Sequence, residues 1–468
     1  MSPLPADAPS VAVVGGGLAG LAAGCALAGA GFRVTLLERR PYLGGRASSY
    51  EHPGTGEVVD NCQHVLLGCC ANLVDFYRRI GVEEKIRWFD RLVFVEPGGR
   101  QSVITPSWLP APFHTAPAFL GAASLSFRDK LAIARAMLAI TARLPQETEE
   151  NFLAWLRRHG QTERAIERFW KVVLVSALNE DLDRMSVHYA AQVFRESFLK
   201  SPEAGRMGVP TVPLTELYSA GADYIRARGG EVLLRAPVES FHPEADHVRV
   251  CSAGREVKAD FAVLAVPFDV LARLLPEGNA TQPLREQLGR FETSPITGIH
   301  LWFDRQITEL EHAVLLDRTI QWMFHKSKLL GARGAEQGGG SYVELVVSSS
   351  KSLVERPKNE IEEMAQRELR EFFPAAADAK VLKSTVIKEV HATYSALPRS
   401  DDYRPGAVTD WSNVFLAGDW TASGWPATME GAVRSGYGAA ETLARRAGRE
   451  GKFMLPDLAA TGFMRLFG

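Results

Sequence analysis

The sequence predicts an α/β protein in which a parallel sheet forms one domain and an α+β domain, antiparallel strands with a helical insertion, is interleaved with it. Three observations carry that prediction. Val11–Val14 is an apolar run of strand length that enters a glycine turn, then a charge-free run of small residues, then a second strand, Arg33–Leu37. Between residues 127 and 199, apolar side chains recur at helical spacing in four successive segments. At Gly298–Phe303 and Tyr342–Val347 they alternate instead, as in a second, antiparallel sheet.

The first unit has the chemistry of a nucleotide pocket. In Gly15-x-Gly17-x-x-Gly20, Gly15 permits the tight turn, Gly17 lets the backbone approach a pyrophosphate, and Gly20 lets helix and strand pack closely. Leu18 and Ala19 begin the helix whose free N–H groups meet the phosphates. Glu38 closes the second strand 18 residues after Gly20, where a carboxylate accepts hydrogen bonds from an adenosine ribose. The charge-free stretch Val11–Phe32 is also long enough to cross a bilayer core of ~30 Å. Its glycine triplet and the strand that follows favour the β-α-β unit.

At 468 residues the chain has room for two domains, each with its own core. A formal net charge of −2 gives no electrostatic reason to expect nucleic acid. The five cysteines, Cys25, Cys62, Cys69, Cys70 and Cys251, lack C-x-x-C spacing, which argues against a disulfide framework or a metal site. Met1–Ser10 carries no basic or apolar export signal, so a cytoplasmic protein is predicted, with peripheral attachment to the inner face of the cell membrane as a second address.

In chain order, Arg39 to Ala47 is a turn in which Gly45 leaves room for a cofactor and Arg46 can neutralise pyrophosphate. Asp60 to Gly68 clusters polar groups; as a strand, it would place Asp60, Cys62 and His64 on one face. Ala71–Ile80 reads as a core helix. The proline-aromatic stretch Pro106–Phe119 is either a covered loop or one that dips into lipid. Helices follow at Phe127–Leu144, Glu149–Arg158, Glu163–Leu178 and Ser186–Leu199, and Asn179-Glu180-Asp181 between two of them is expected to be a solvated turn. A helix at Leu214–Arg228 leads to short strands through Val238 and on to Phe261–Pro267, and Glu360–Phe372 is an amphipathic helix. The glycines at 331–340 lack a neighbouring strand and helix of the right kind and read as loop, leaving no second dinucleotide site. Asn413–Trp420 is a strand ending in Gly418-Asp419, followed by Pro426–Gly436. The apolar, basic tail either rests on a membrane or docks on the protein.

The ordered set of Gly15–Gly20, Glu38, Gly44-Gly45-Arg46 and Gly418-Asp419 resembles the FAD-binding amine oxidase and phytoene desaturase superfamily. Glu38–Ala47, Asp60–Gly68, and Leu416–Thr421 with Pro426–Gly436 narrow this to the squalene-associated branch, the hydroxysqualene dehydroxylases of hopanoid pathways. The resemblance implies a Rossmann-type, glutathione-reductase-like FAD domain over 1–100, 205–290 and 395–448, a substrate domain over 101–204 and 291–394, and a tail, 449–468. It further implies that Arg39, Gly45 and Arg46 line the FAD site, that Val238 meets adenine through its backbone, that Asp419 binds the ribityl chain, and that the helix beginning near Met429 points its dipole at the flavin. Cys62 stands where that branch has glycine.

The implied reaction replaces an allylic hydroxyl with hydride, for which reduced FAD and an external electron donor or reductase are needed. The substrate would be a long apolar isoprenoid. Asp60 and His64 are the candidate proton donors or orienting groups, Asp60 only if burial keeps it protonated. Departure of water without a protein acid remains open. Three rivals share the cofactor motifs: a carotenoid or squalene desaturase, an amine oxidase with an aromatic cage, and an idle isoprenoid carrier.

Overall fold

The computed structural model describes residues 5, 7–331 and 340–467. Most of the glycine-rich loop expected at 331–340 lies outside the described residues. Five strands, Glu231–Leu233, Arg33–Leu37, Ser10–Val14, Phe261–Leu264 and Val414–Leu416, lie side by side in that order, every pair parallel. Their side chains divide by parity, as a sheet covered on both faces requires. Val11, Val13, Val34, Leu36, Val263 and Phe415 face a core shared with the helices Leu18–Gly29, Leu214–Arg226 and Met429–Arg446. Ala12, Val14, Leu37, Ala262, Leu264 and Leu416 face the opposite core, which a three-stranded antiparallel sheet, Val238–Pro243, Val248–Ser252 and Arg255–Ala259, closes.

The charge-free helix Leu18–Gly29 is buried along nearly its whole length because it is sandwiched, not because it meets lipid. A Cβ on Gly436 would sit 2.2 Å from the Ala19 carbonyl oxygen, so this helix and Met429–Arg446 touch backbone to backbone. Among the described residues, no helix is long and apolar enough to cross a membrane.

A second sheet has seven strands in the order Val381–Tyr394, Thr293–Phe303, Ser341–Ser348, Trp322–His325, His312–Leu315, Leu92–Val95 and Gln101–Ile104. Ile296 to Phe303 pairs antiparallel with Ser348 to Ser341, as the alternation predicts. The sheet as a whole is mixed, however, since His312–Leu315 runs parallel to Leu92–Val95. The hairpin Leu92–Ile104 therefore belongs to this sheet, and the boundary expected at residue 100 cuts through it.

The helical insertion starts where capping residues start it. Ser126 and Asp129 form a reciprocal capping box, and Asn151, Thr162 and Ser186 each accept a hydrogen bond from a backbone N–H in the first turn of the helix they begin. Two of these helices contain a π-helical segment, Ile166–Trp170 and Arg195–Leu199. Such wide turns push the side chains that follow out of α register. Here they lead into Val172 and Val173 and carry Glu196 to Phe198, all of which line a cavity.

Candidate active site

Two cavities adjoin. The first runs along the carboxyl ends of the parallel strands, the usual ligand edge of such a sheet. Gly15, Gly17, Leu18, Ala19, Glu38, Arg39, Gly45, Arg46, Val238, Gly418, Asp419 and Met429 all line it. Gly20 supports it from behind, because a Cβ there would lie 1.9 Å from the Gly15 carbonyl oxygen. Gly15 has φ +109°, which an L side chain disfavours. Gly17 differs. Its φ is −74°, and an added Cβ would find nothing nearer than the Gly45 Cα at 3.9 Å, so the space above it belongs to the cavity.

Glu38 accepts hydrogen bonds from the Gly16 N–H at 2.7 Å and the Arg40 N–H at 2.8 Å, which ties the end of the second strand to the glycine turn. Arg46 donates to the Ala392 carbonyl at 2.9 Å and pairs with Asp419 at 2.6 Å, joining residues far apart in sequence. The helix Met429–Arg446 begins at the cleft, its N-cap Thr428 accepting from the Gly431 N–H at 3.0 Å. Open space over Gly17, a helix N-terminus and an Arg46 guanidinium together fit a dinucleotide with a pyrophosphate.

Asn179 also lines this cleft, contrary to the solvated turn expected of Asn179-Glu180-Asp181. Its side chain donates to the Ser294 carbonyl and to Thr393 Oγ1, both at 2.9 Å, and accepts from the Ser349 N–H at 2.6 Å. Glu180 beside it is fully buried and paired with Lys351. Tertiary partners more than a hundred residues away override the local turn signal.

The second cavity is walled by Phe94, Val172, Val193, Phe198, Val314, Trp322, Phe324 and Val346, and it opens onto the first. Eight residues line both: Cys62, Gln63, Val65, Ser176, Ala177, Ile296, Thr428 and Met429. This junction is where a cofactor edge and a substrate would meet.

The two candidate acids do not share a face. Strand structure ends at Asp60, and the chain turns before reaching His64. Asp60 lines neither cavity. Burial alone would raise its pKa, but Lys326 Nζ at 2.6 Å, Ser49 Oγ at 2.5 Å and the Leu214 N–H hold it below the ordinary carboxylate range. Asp60 is thus an ion-paired carboxylate with a lowered pKa, so the condition for its acting as a proton donor, that burial keep it protonated, is not met. His64 lines the cofactor cleft with Nδ1 2.8 Å from the Cys62 carbonyl. Burial pushes its pKa down, so the ring is neutral. Because a carbonyl only accepts, the proton sits on Nδ1, which leaves Nε2 an acceptor. His64 fits an orienting role better than that of an acid.

Sequence reading missed Lys326 and Glu344. Lys326 follows the strand Trp322–His325 and begins the short helix Lys326–Leu329, and Glu344 lies inside Ser341–Ser348, every residue of which is buried. A charge within an apolar run was the available signal. Burial raises the Glu344 pKa to about 8 despite Lys326 Nζ at 3.4 Å.

The tail docks on the protein. Phe453 and Met464 are buried, the Phe463 N–H donates to the Ala111 carbonyl at 2.9 Å, and Asp457 pairs with Arg434 at 2.7 Å. Phe463 meets Phe113 edge to face at 6.2 Å, joining the tail to the proline-aromatic stretch.

Comparison with known proteins places this geometry. Over 458 residues the chain is 29% identical to a 15-cis-phytoene desaturase of Synechococcus elongatus, covering 93% of this chain and 96% of the relative. It is 27% identical to a probable zeta-carotene desaturase of the same organism, covering 92% and 98%. Among solved structures, an oxidoreductase from Methanosarcina mazei superposes with a TM-score of 0.71 at 19% identity, covering 91% and 98%. A wild-type putrescine oxidase bound to putrescine superposes with a TM-score of 0.69 at 16% identity, covering 94% and 99%. The family model for flavin containing amine oxidoreductases matches residues 18–444, the cofactor is FAD, and the chain belongs to this family of FAD-dependent oxidoreductases.

Proposed function

We propose that the chain reductively dehydroxylates hydroxysqualene to squalene, hydride replacing an allylic hydroxyl as water departs. The observation that carries this reading is the second cavity, whose walls are mainly apolar and which meets the cofactor cleft at a junction lined by no charged side chain. Its aromatic and branched walls suit a long isoprenoid and exclude water from a delocalised cation. When bound, FAD supplies hydride donation in its reduced form. Met429 and Thr428 present a helix N-terminus to the cleft, which favours negative charge there. His64 Nε2 offers an acceptor, and no ionised carboxylate opens onto the junction from Asp60. Reduction consumes reducing equivalents, so an external electron donor completes the reaction.

The test is anaerobic reduction of the holoenzyme, addition of hydroxysqualene, and simultaneous measurement of squalene and of flavin oxidation. Squalene formed in proportion to flavin oxidised is the expected result. The second reading, a carotenoid or squalene desaturase, draws on the names of the curated relatives. It predicts the reverse: oxidised enzyme would introduce double bonds into phytoene or squalene while hydroxysqualene leaves the reduced flavin untouched. Amine oxidation is the weaker rival, since none of the eight junction residues is aromatic.

The substrate's insolubility makes a lipid surface the natural source. We propose that the protein meets it with the face formed by Pro106–Leu138 and the tail, where Trp108 is 90%, Phe127 76% and Leu466 78% exposed. No carboxylate occurs between Glu96 and Asp129, while Arg128 and Arg135 are exposed beside these side chains. Replacing Trp108, Phe127 and Leu466 together with serine should weaken binding to anionic phospholipid vesicles by roughly tenfold or more, with an unchanged melting temperature. Vesicle flotation measures it, and undiminished binding would assign the face to something else.

A further inference from the structure

We infer that Gln63, held in place by Lys326, binds the oxygen of the substrate at the junction of the two cavities. The inference rests on the proposed function and assigns a residue to the recognition of the alcohol.

The junction has four polar side chains. Ser176 spends its hydroxyl proton on the Val172 carbonyl at 2.8 Å, and Thr428 donates to the Pro426 carbonyl at 3.2 Å. Cys62 is a thiol, a weak donor. Gln63 is different, because its amide is fixed from both ends. Lys326 has only donors, so the oxygen it meets at 2.8 Å is Gln63 Oε1. The amide nitrogen at the other end donates to the His64 carbonyl at 3.2 Å. That leaves one N–H of the amide with no partner among the described residues, on a side chain that lines both cavities.

Lys326 is itself locked. Its ammonium donates to Asp60 at 2.6 Å and Gln63 at 2.8 Å and lies 3.4 Å from Glu344, and its side chain is only 3% exposed. The ammonium draws electron density from Oε1 and strengthens the amide as a donor. A spare, polarised N–H at a junction whose two hydroxyls already donate to backbone carbonyls is satisfied by an alcohol and left unpaired by a hydrocarbon, and a site of that kind discriminates strongly between the two.

The test titrates oxidised holoenzyme with hydroxysqualene and, separately, with squalene, following the visible flavin spectrum, for wild type and Gln63→Leu. The expected result is that hydroxysqualene binds at least about tenfold more weakly to the variant while squalene binds within about twofold of wild type. Equal weakening of both, or no change in either, overturns the inference. Should Gln63→Leu fail to fold, Gln63→Asn keeps an amide but shortens its reach, and the same selective loss is expected. Wild-type conversion of hydroxysqualene is measured in parallel: if it is absent the functional reading fails, and if it is present with unselective binding in the variant only the role of Gln63 fails.

Discussion

Replacing Lys326 with methionine is expected to cost about 3–5 kcal/mol of folding stability, the usual loss when one partner of a buried ion pair is removed. The reason lies in what stays behind. Asp60 is 5% exposed and would keep a charge whose nearest compensation had gone, with only Ser49 and the Leu214 N–H to solvate it. Denaturant unfolding of the holoenzyme measures the loss. The double variant Lys326→Met/Asp60→Asn should recover most of it, because neither side then holds an unpaired charge. If the single and double variants are equally unstable, packing rather than charge is the cause.

Glu344 gives the same cluster a pH signature. Its carboxyl ionises near 4.5 when unfolded and at about 8 in the folded protein, because burial outweighs the attraction of Lys326. Its contribution to stability is therefore fully present below the unfolded value and is lost progressively as pH rises to about 8. Glu344→Gln should flatten that slope, making the variant more stable than wild type at pH 8 by on the order of a few kcal/mol while the two stay close at pH 4.5. Parallel slopes for both proteins would show that Glu344 is ionised in the fold. Asp60 works in the opposite sense: its lowered pKa contributes stability above the unfolded value of 3.8 that is lost as pH falls further.

These side chains show where a sequence stops being legible. The parallel sheet was readable because its first unit is local: a strand, a glycine turn, a helix and a second strand occupy Val11–Leu37 without interruption, and Gly20 answers a contact with Gly15 only five residues away. The helices of the insertion were readable from period and caps. By contrast, Lys326 lies 266 residues from Asp60, and nothing near either position says that they meet. The polar cluster at Asp60–His64 drew attention to the right segment, but the strand ends at Asp60, so alternation assigned the faces wrongly. Asn179 failed for a similar reason, its turn being buried by strands more than a hundred residues further along the chain. The hairpin at Leu92–Ile104 was split by the expected boundary because sheet membership depends on which strand lies alongside it, here His312–Leu315.

Gly17→Val is expected to leave a folded protein that has lost its FAD. The two glycines Gly17 and Gly20 sit three residues apart in one motif, yet the structure gives them different reasons to be glycine. At Gly20 the obstacle is the chain itself, since a Cβ would lie 1.9 Å from the Gly15 carbonyl oxygen, and Gly20→Ala should prevent the strand and helix from packing at all. At Gly17 the backbone has φ −74° and the nearest atom to a new Cβ is 3.9 Å away, so a side chain starts there without a clash and takes up space in the cavity. Affinity for FAD should fall by at least roughly 100-fold, about 2.8 kcal/mol. The unfolding midpoint of the apoprotein should match wild-type apoprotein within ~1 kcal/mol, as for a substitution away from packed atoms. Flavin absorbance per polypeptide and denaturant unfolding of both apoproteins measure the two effects separately. A Gly17→Val protein that purifies with full flavin would mean that the pyrophosphate does not pass over Gly17, and the cleft would then have to be reassigned from its glycine turn outward.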